Sequence, residues 1–190
     1  MRISILACIM TLALSTNVKS QCGIYLTASD FTNKQLSYSE GSKIHLNNSL
    51  METPYVAIVT RDKKIKLNKN EIFGYVDGDK KAHRFYKNED YVITEEGPIT
   101  VYMQVVRVAQ SKGYVVLKKY YFSKTPGSEI TSLNIHNLKD AYRGNEKFID
   151  LLDQYIDGSN AEAYDELHNT FRVNYVYTKT LKESSQNLEK

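Results

Sequence analysis

Between Ile44 and about Leu133, the apolar residues fall into short runs rich in Val, Ile, Tyr and Phe, separated by turn-forming residues. Runs of this length and composition favour β-strands, because β-branched and aromatic side chains pack well on a pleated surface. The pattern predicts these strands: Tyr55–Thr60, Lys63–Leu67, Glu71–Val76, Ala82–Lys87, Tyr91–Thr94, Ile99–Val108 and Gly113–Phe122.

The turns between these runs indicate how the strands connect. Asp77-Gly78 is a tight-turn dipeptide, in which Gly accepts the positive φ of a type I′ turn, and residues 110–113 close a hairpin between the two longest runs. Strand starts lie mostly 8 to 14 residues apart, which favours an antiparallel meander over βαβ units. The longest hairpin is apolar on both faces, so we expect it to be covered on both sides.

After Leu133 the apolar spacing becomes helical. Phe148, Leu151, Leu152, Tyr155 and Ile156 form one stripe, preceded by Asn145 as N-cap and followed by Gly158 as a stop. A shorter helix is predicted around 137–142. A second long helix is predicted from about Ala161, with these residues on one side: Tyr164, Leu167, Phe171 and Tyr175.

These elements define the predicted fold class. It is α+β, with an antiparallel β-meander or partial barrel followed by a C-terminal helical hairpin. We expect one α+β domain over residues 21–181 and a polar, frayed tail over 182–190.

The first twenty residues have the pattern of a cleaved export signal. Arg2 precedes an apolar run from Ile3 to Leu14, and polar residues follow up to Ser20, near which we place the cleavage. Twelve helical residues span roughly 18 Å of an apolar layer about 30 Å thick, so we expect no transmembrane anchor. The predicted location is periplasmic or extracellular. Cys22 is the only cysteine after the leader.

The net charge and its distribution along the chain limit the classes of partner that we expect. The whole chain carries a formal net charge of +3, and removal of Arg2 and Lys19 leaves about +1, which disfavours nucleic acid. Residues 61–124 contain 14 basic and 8 acidic side chains, whereas residues 139–168 contain 3 and 8. Either these regions face each other within the fold, or the basic region contacts an anionic surface such as a glycan or lipid headgroup.

No motif identifies a catalytic residue, a cofactor or a metal. An acidic stripe at Glu146, Asp150, Asp153 and Asp157 lies opposite the apolar stripe, where solvated charges belong. Asp165 and His168 are three residues apart on the predicted second helix, but a metal site needs further ligands. We therefore predict no catalytic residue, no cofactor-binding residue and no metal ligand.

The unusual feature of the composition is fifteen Tyr and no Trp. Tyrosines beside lysines in strands can line a site for a sugar or an apolar ligand, although Tyr is also an ordinary strand residue. The candidate ligand surface consists of Tyr102, Tyr114, Lys118, Tyr120 and Tyr121.

Several aromatic and lysine-containing segments follow one another along the chain: Gly23–Thr27, Asp30-Phe31, Glu71–Tyr75, Arg84–Lys87, Tyr91, Tyr121–Lys124, Asn137-Leu138 and Lys147-Phe148. In this order they resemble a group of small exported proteins of Bacteroidota-type bacteria with no assigned function. The resemblance implies a Gram-negative envelope or extracellular location and supplies no catalytic residue.

The sequence therefore favours a non-enzymatic exported protein that acts as a binding or envelope-associated module, with a glycan, a lipid or an envelope protein as partner. The alternative is a secreted or periplasmic hydrolase whose site is assembled from residues distant in sequence. A third hypothesis is adhesion or assembly through the basic edge at Lys63 to Lys69.

Overall fold

The computed structural model describes residues 22–39, 43–46, 53–157 and 160–188, so the predicted leader and Gly158 lie outside the described residues. The elements in chain order are β1 Gly23–Tyr25, α1 Ala28–Thr32, β2 Lys43–His45, β3 Tyr55–Val59, β4 Lys64–Asn68, β5 Gly74–Val76, β6 Ala82–Tyr86, β7 Glu89–Glu95, β8 Thr100–Gln110, β9 Gly113–Ser123, β10 Thr131–Ser132, α2 Ile135–Ala141, α3 Glu146–Tyr155, β11 Tyr164–Asp165, β12 Thr170–Phe171 and α4 Arg172–Leu188.

The main sheet confirms the predicted α+β meander. Its seven antiparallel strands form a half-barrel in the order β1-β5-β6-β7-β8-β9-β10, so β5 to β9 are neighbours in both sequence and space. A smaller sheet has the order β2-β3-β4, which makes the lysine-rich strand β4 an edge strand, as predicted.

The base of the β8–β9 hairpin separates two parts of the core. Val101 and Phe122 are a cross-strand pair that packs on the side of α2, α3 and α4. Tyr102, the next residue along β8, points to the opposite face and packs with Phe31 and Tyr91. Because successive strand residues alternate between faces, the apolar residues on both faces at this level are buried on both sides.

The first two C-terminal helices follow their sequence signals. Asn134 and Asn145 cap α2 and α3 by accepting the N–H groups of Asn137 at 2.9 Å and Phe148 at 3.1 Å. Phe148 and Leu152 are fully buried, which confirms the apolar stripe and the Asn145 cap.

The second long helix begins later than predicted. Residues 161–171 form turns and the short β11–β12 hairpin, with Asn169 at φ 51°, and α4 begins only at Arg172. The Glu95 carboxylate accepts the Phe171 N–H at 2.7 Å and the Thr170 hydroxyl at 2.6 Å, which holds this segment in an extended conformation. Leu167, expected on the helix face, is almost fully exposed at the turn. The predicted frayed tail is helical as far as Leu188.

Asn174 anchors α4 to the main sheet. Its Oδ1 accepts the Ile99 N–H at 2.9 Å, and its Nδ2 donates to the Ile99 carbonyl at 2.8 Å and to Glu95 at 2.6 Å. A Cβ at Gly97 would lie 2.6 Å from this Nδ2, so the close approach of α4 requires glycine at that position.

Replacement of Asn174 by Ala would leave the buried N–H and C=O of Ile99 without partners. Each such group costs about 1–3 kcal/mol, so we expect a loss of about 3 kcal/mol in the free energy of unfolding, measured by urea denaturation. Ser185→Ala on the exposed side of α4 is the control and should stay within about 0.5 kcal/mol of wild type. Equal stability of the two variants would contradict this role of Asn174.

Candidate functional site

The distal half of the β8–β9 hairpin extends beyond its neighbouring strands. β7 pairs with β8 only as far as Met103, and β10 pairs with β9 only at Tyr121 and Phe122, whereas β8 and β9 pair with each other to Gln110 and Gly113. We call residues 104–119 the β-arm. At about 3.4 Å per residue, it continues for about 20 Å past Met103. Gly113, at φ 121°, follows its two-residue turn in a conformation that other residues rarely adopt.

The β-arm is apolar on both faces and exposed. One face carries Val105, Val116 and Tyr114, and the other carries Val106, Val108, Val115 and Leu117. The most exposed of these are Tyr114 at 63%, Val105 at 57%, Val116 at 53%, Leu117 at 44% and Val108 at 40%. The expectation that the whole hairpin is covered on both sides is wrong, because α2–α4 and α1 cover only its base.

All charged residues of the β-arm are basic. They are Arg107, Lys112, Lys118 and Lys119, and all four are exposed. Arg107 lies over the Tyr114 ring, with its guanidinium carbon 5.3 Å from the ring centroid. The β-arm therefore combines exposed apolar side chains with positive charge.

The candidate ligand residues do not form one surface. Tyr114 and Lys118 are exposed on one face of the β-arm, and Tyr120 lies on the same face but is half-buried against Phe171. Tyr121 packs on the other face, against Tyr91. Tyr102 is fully buried and cannot contact a ligand at the surface, because the pleat turns it into the core.

Sequence reasoning missed a buried polar cluster around His83. Its Nδ1 lies 3.0 Å from Asp90 Oδ1, and its Nε2 lies 3.2 Å from Asp77 Oδ2. The Tyr75 ring stacks on the imidazole and its hydroxyl donates to Asp90 at 2.8 Å. The cluster joins β5, β6 and β7, and only strand registration brings its members together.

The turn between β5 and β6 supplies Asp77. Its Oδ1 accepts the N–H groups of Asp79 at 2.9 Å and Lys81 at 2.8 Å, which leaves Oδ2 for His83. The residue with positive φ in this turn is Lys80, at 64°, rather than the predicted Gly78. The Asp77 side chain, and not a glycine conformation, therefore shapes the turn.

Two carboxylates raise the pKa of the His83 imidazole. Burial by itself lowers the pKa of His83, but the hydrogen bonds and charges of Asp90 and Asp77 outweigh burial and raise it above 6.5. Burial favours a higher pKa for Asp77, yet its hydrogen bonds with Lys81 and His83 lower the pKa below 3.8. Because each ring nitrogen lies within hydrogen-bonding distance of a carboxylate, neither nitrogen is free to act as a general base.

Other candidate ligands are engaged in ordinary contacts. Asp165 and His168 lie at the β11–β12 turn rather than on a helix, with His168 Nδ1 2.9 Å from Asp165 Oδ2. Asp153 of the acidic stripe accepts from Lys139 at 2.7 Å. In the ranges that the structure describes, no group of three or more His, Cys, Asp or Glu could hold a metal ion.

Comparison with protein-family models, with curated proteins and with solved structures gives no match for this chain. Within the described ranges, no helix has the length and apolar character needed to cross a membrane.

The raised pKa of His83 predicts how stability depends on pH. A group with a higher pKa in the folded state stabilises the fold fully below its unfolded pKa of about 6.5, and this contribution is lost as pH rises through the folded pKa. We expect the wild-type free energy of unfolding to fall across that window, measured by urea denaturation at a series of pH values. Asp77, which titrates below 3.8, contributes nothing to this slope.

His83→Gln should flatten the slope, whereas His45→Gln, at an exposed histidine of β2, should leave it unchanged. An identical slope in wild type and His83→Gln would show that His83 is not the titrating group.

Proposed function

We propose that this protein is a non-enzymatic exported module that associates with an anionic lipid surface through its β-arm. The observation that carries the proposal is the exposure of apolar side chains on both faces of an arm whose charges are all basic. Export, from the leader-like first twenty residues, would place the arm where envelope lipids are accessible.

The two apolar faces favour a lipid surface over a groove in another protein. A groove covers one face of a ribbon and leaves the other in water, whereas the lipid interface surrounds an inserted segment. Val105 and Val116 on one face and Val108 and Leu117 on the other would then be removed from water together.

The charges favour an anionic surface. Arg107, Lys112, Lys118 and Lys119 are accompanied by no acidic residue between 104 and 119. Each basic residue near an anionic membrane contributes about 1 kcal/mol, and long basic side chains extend to the headgroups while their neighbours insert. The same charges would repel a second β-arm, which disfavours pairing between two copies.

The backbone limits the depth of insertion. Among the described residues, no strand pairs with the outer edges of β8 and β9 beyond Met103 and Tyr120, and unpaired N–H and C=O groups are not tolerated in the hydrocarbon layer. The arm would therefore remain at the interface, where water and headgroups can bond to these edges. Tyr114, beside the turn, suits that depth because aromatic rings with a polar group concentrate there.

The alternative hydrolase gains no support from the His83 cluster, because both imidazole nitrogens face carboxylates at hydrogen-bonding distance. The basic edge at β4 remains a hypothesis, and it provides a control for the charge experiment below.

Because the chain contains no tryptophan, Tyr114→Trp introduces a single fluorescent reporter into the β-arm. We expect its emission to shift to the blue with phosphatidylglycerol-containing vesicles and to stay unchanged with phosphatidylcholine vesicles, with the shift reversed by high salt. Tyr164→Trp, at a tyrosine of β11 that is 41% exposed, is the matched control and should show no shift.

Absence of a shift in Tyr114→Trp, or an equal shift in both variants, would refute the proposal. A blue shift that rises with protein concentration before vesicles are added would instead indicate self-association of the arm, and sedimentation velocity would then detect the dimer.

Removal of the charges at Lys118 and Lys119 should weaken binding to anionic vesicles. Two losses of about 1 kcal/mol correspond to roughly 30-fold at low salt, measured by vesicle co-sedimentation of Lys118→Gln/Lys119→Gln. Lys63→Gln/Lys64→Gln removes the same charge from the other basic edge and should have little effect. Equal weakening by both pairs would assign the binding to overall charge rather than to the β-arm.

A further inference from the structure

A cavity of about 360 Å³, broadly open to solvent, lies where the β4–β5 loop, the end of β6 and the start of α1 meet. Its lining includes three basic residues, Lys69, Arg84 and Lys87, and the aromatic rings of Phe73 and Tyr86. The volume falls in the range of small-molecule sites, and none of these residues belongs to the β-arm.

Arg84 is the most unusual group in this lining, since it is only 5% exposed. Its Nη1 donates to the Tyr102 hydroxyl at 3.0 Å and its Nη2 to the Ser128 carbonyl at 2.7 Å. The guanidinium carbon lies 5.4 Å from the ring centroids of Phe73 and Tyr86 and 5.7 Å from that of Tyr102. All these partners are neutral.

In the part of the chain that the structure describes, no carboxylate oxygen lies within 4.0 Å of the Arg84 guanidinium, so Arg84 makes no direct ion pair there. Glu129 accepts from the Tyr86 hydroxyl at 3.1 Å and lies 3.6 Å from Lys87, so it is engaged at the rim. The lining also contains the carboxylate of Glu71, in addition to the three basic residues.

A buried charge without a counter-charge is costly, and proteins keep one where something offsets the cost. The arginine fork has five N–H donors that match the geometry of carboxylate and phosphate oxygens. We infer that the cavity binds a small molecule bearing an oxyanion, with Arg84 bound to the carboxylate or phosphate and Lys69 and Lys87 supplying further positive charge at the rim.

The aromatic rings around Arg84 hold the guanidinium in place. Phe73 stacks on Phe31, with ring centroids 4.9 Å apart, and Arg84 lies over the rings of Phe73 and Tyr86. The volume of the cavity admits a small organic carboxylate or phosphate, which is the ligand class that we assign. This site does not depend on the lipid-binding proposal, because the two use different residues.

The competing explanation is that the three aromatic rings and two neutral acceptors stabilise the Arg84 charge by themselves, in which case the cavity binds nothing. Isothermal titration calorimetry of the purified protein separates these cases. Glucuronate and inorganic phosphate are titrated separately to about 20 mM, above the millimolar dissociation constants expected for such small ligands. Glucose is the neutral control for glucuronate.

Binding of glucuronate or phosphate without binding of glucose supports the site, and the tighter of the two anions identifies the headgroup. Arg84→Gln should weaken that binding by about 30-fold, whereas Arg61→Gln, at an exposed arginine, should bind as wild type does. Absence of binding by both anions, or unchanged binding by Arg84→Gln, would overturn the inference.

Should Arg84→Gln fail to fold, the rim provides the decisive variant. Lys69→Gln/Lys87→Gln leaves the buried guanidinium in place and should weaken anion binding by about fivefold. Wild-type affinity in this double variant would then overturn the inference.

Discussion

The bidentate contact between the Asn174 amide and the backbone of Ile99 determines which part of the main sheet is covered. It fixes α4 beside Ile99, the residue that precedes β8, and the Glu95 carboxylate holds the segment before α4 at Thr170 and Phe171. The helices therefore bury Val101 and Phe122 at the base of the β8–β9 hairpin and do not reach Val105. The exposure of the β-arm thus follows from where α4 is anchored. A hairpin of this length, apolar on both faces, would otherwise be expected inside the core.

Two arginines, Arg84 and Arg107, both lie over aromatic rings but differ in their exposure to water. Arg84 is enclosed by Phe73, Tyr86 and Tyr102, whereas Arg107 lies over Tyr114 in contact with water. In the interior, loss of hydration makes an uncompensated guanidinium costly, so its retention points to an anionic ligand. On the β-arm, water already solvates the charge, and its value lies in attraction to an anionic surface. The two inferred ligands share negative charge but differ in size, because one meets a cavity and the other an extended arm.

The candidate ligand surface shows how far sequence reasoning reaches. The pattern correctly grouped Tyr114 and Lys118 with a long hairpin, but composition could not separate them from Tyr102, which is fully buried. Strand alternation assigns faces, yet it does not reveal where covering elements end. The His83 cluster was missed for a related reason: Tyr75, Asp77, His83 and Asp90 have no recognisable spacing, and only the registers of β5 with β6 and of β6 with β7 bring them together.

The sequence by itself determined the α+β class, the meander, the long hairpin and the α3 stripe with its Asn145 cap, because these depend on local periodicity and turn chemistry. The helical hairpin was correct in outline, but the start of α4 was not local: Glu95, more than seventy residues earlier, holds residues 170 and 171 in extended form. Tertiary structure alone decided that the outer hairpin is exposed, that Arg84 lacks a carboxylate partner among the described residues, and that His83 lies between two acids. Each of these depends on which side chains, distant in sequence, come within a few ångströms of one another. The energies of charge interactions, burial and hydrogen bonds depend on those distances, which local sequence patterns do not specify.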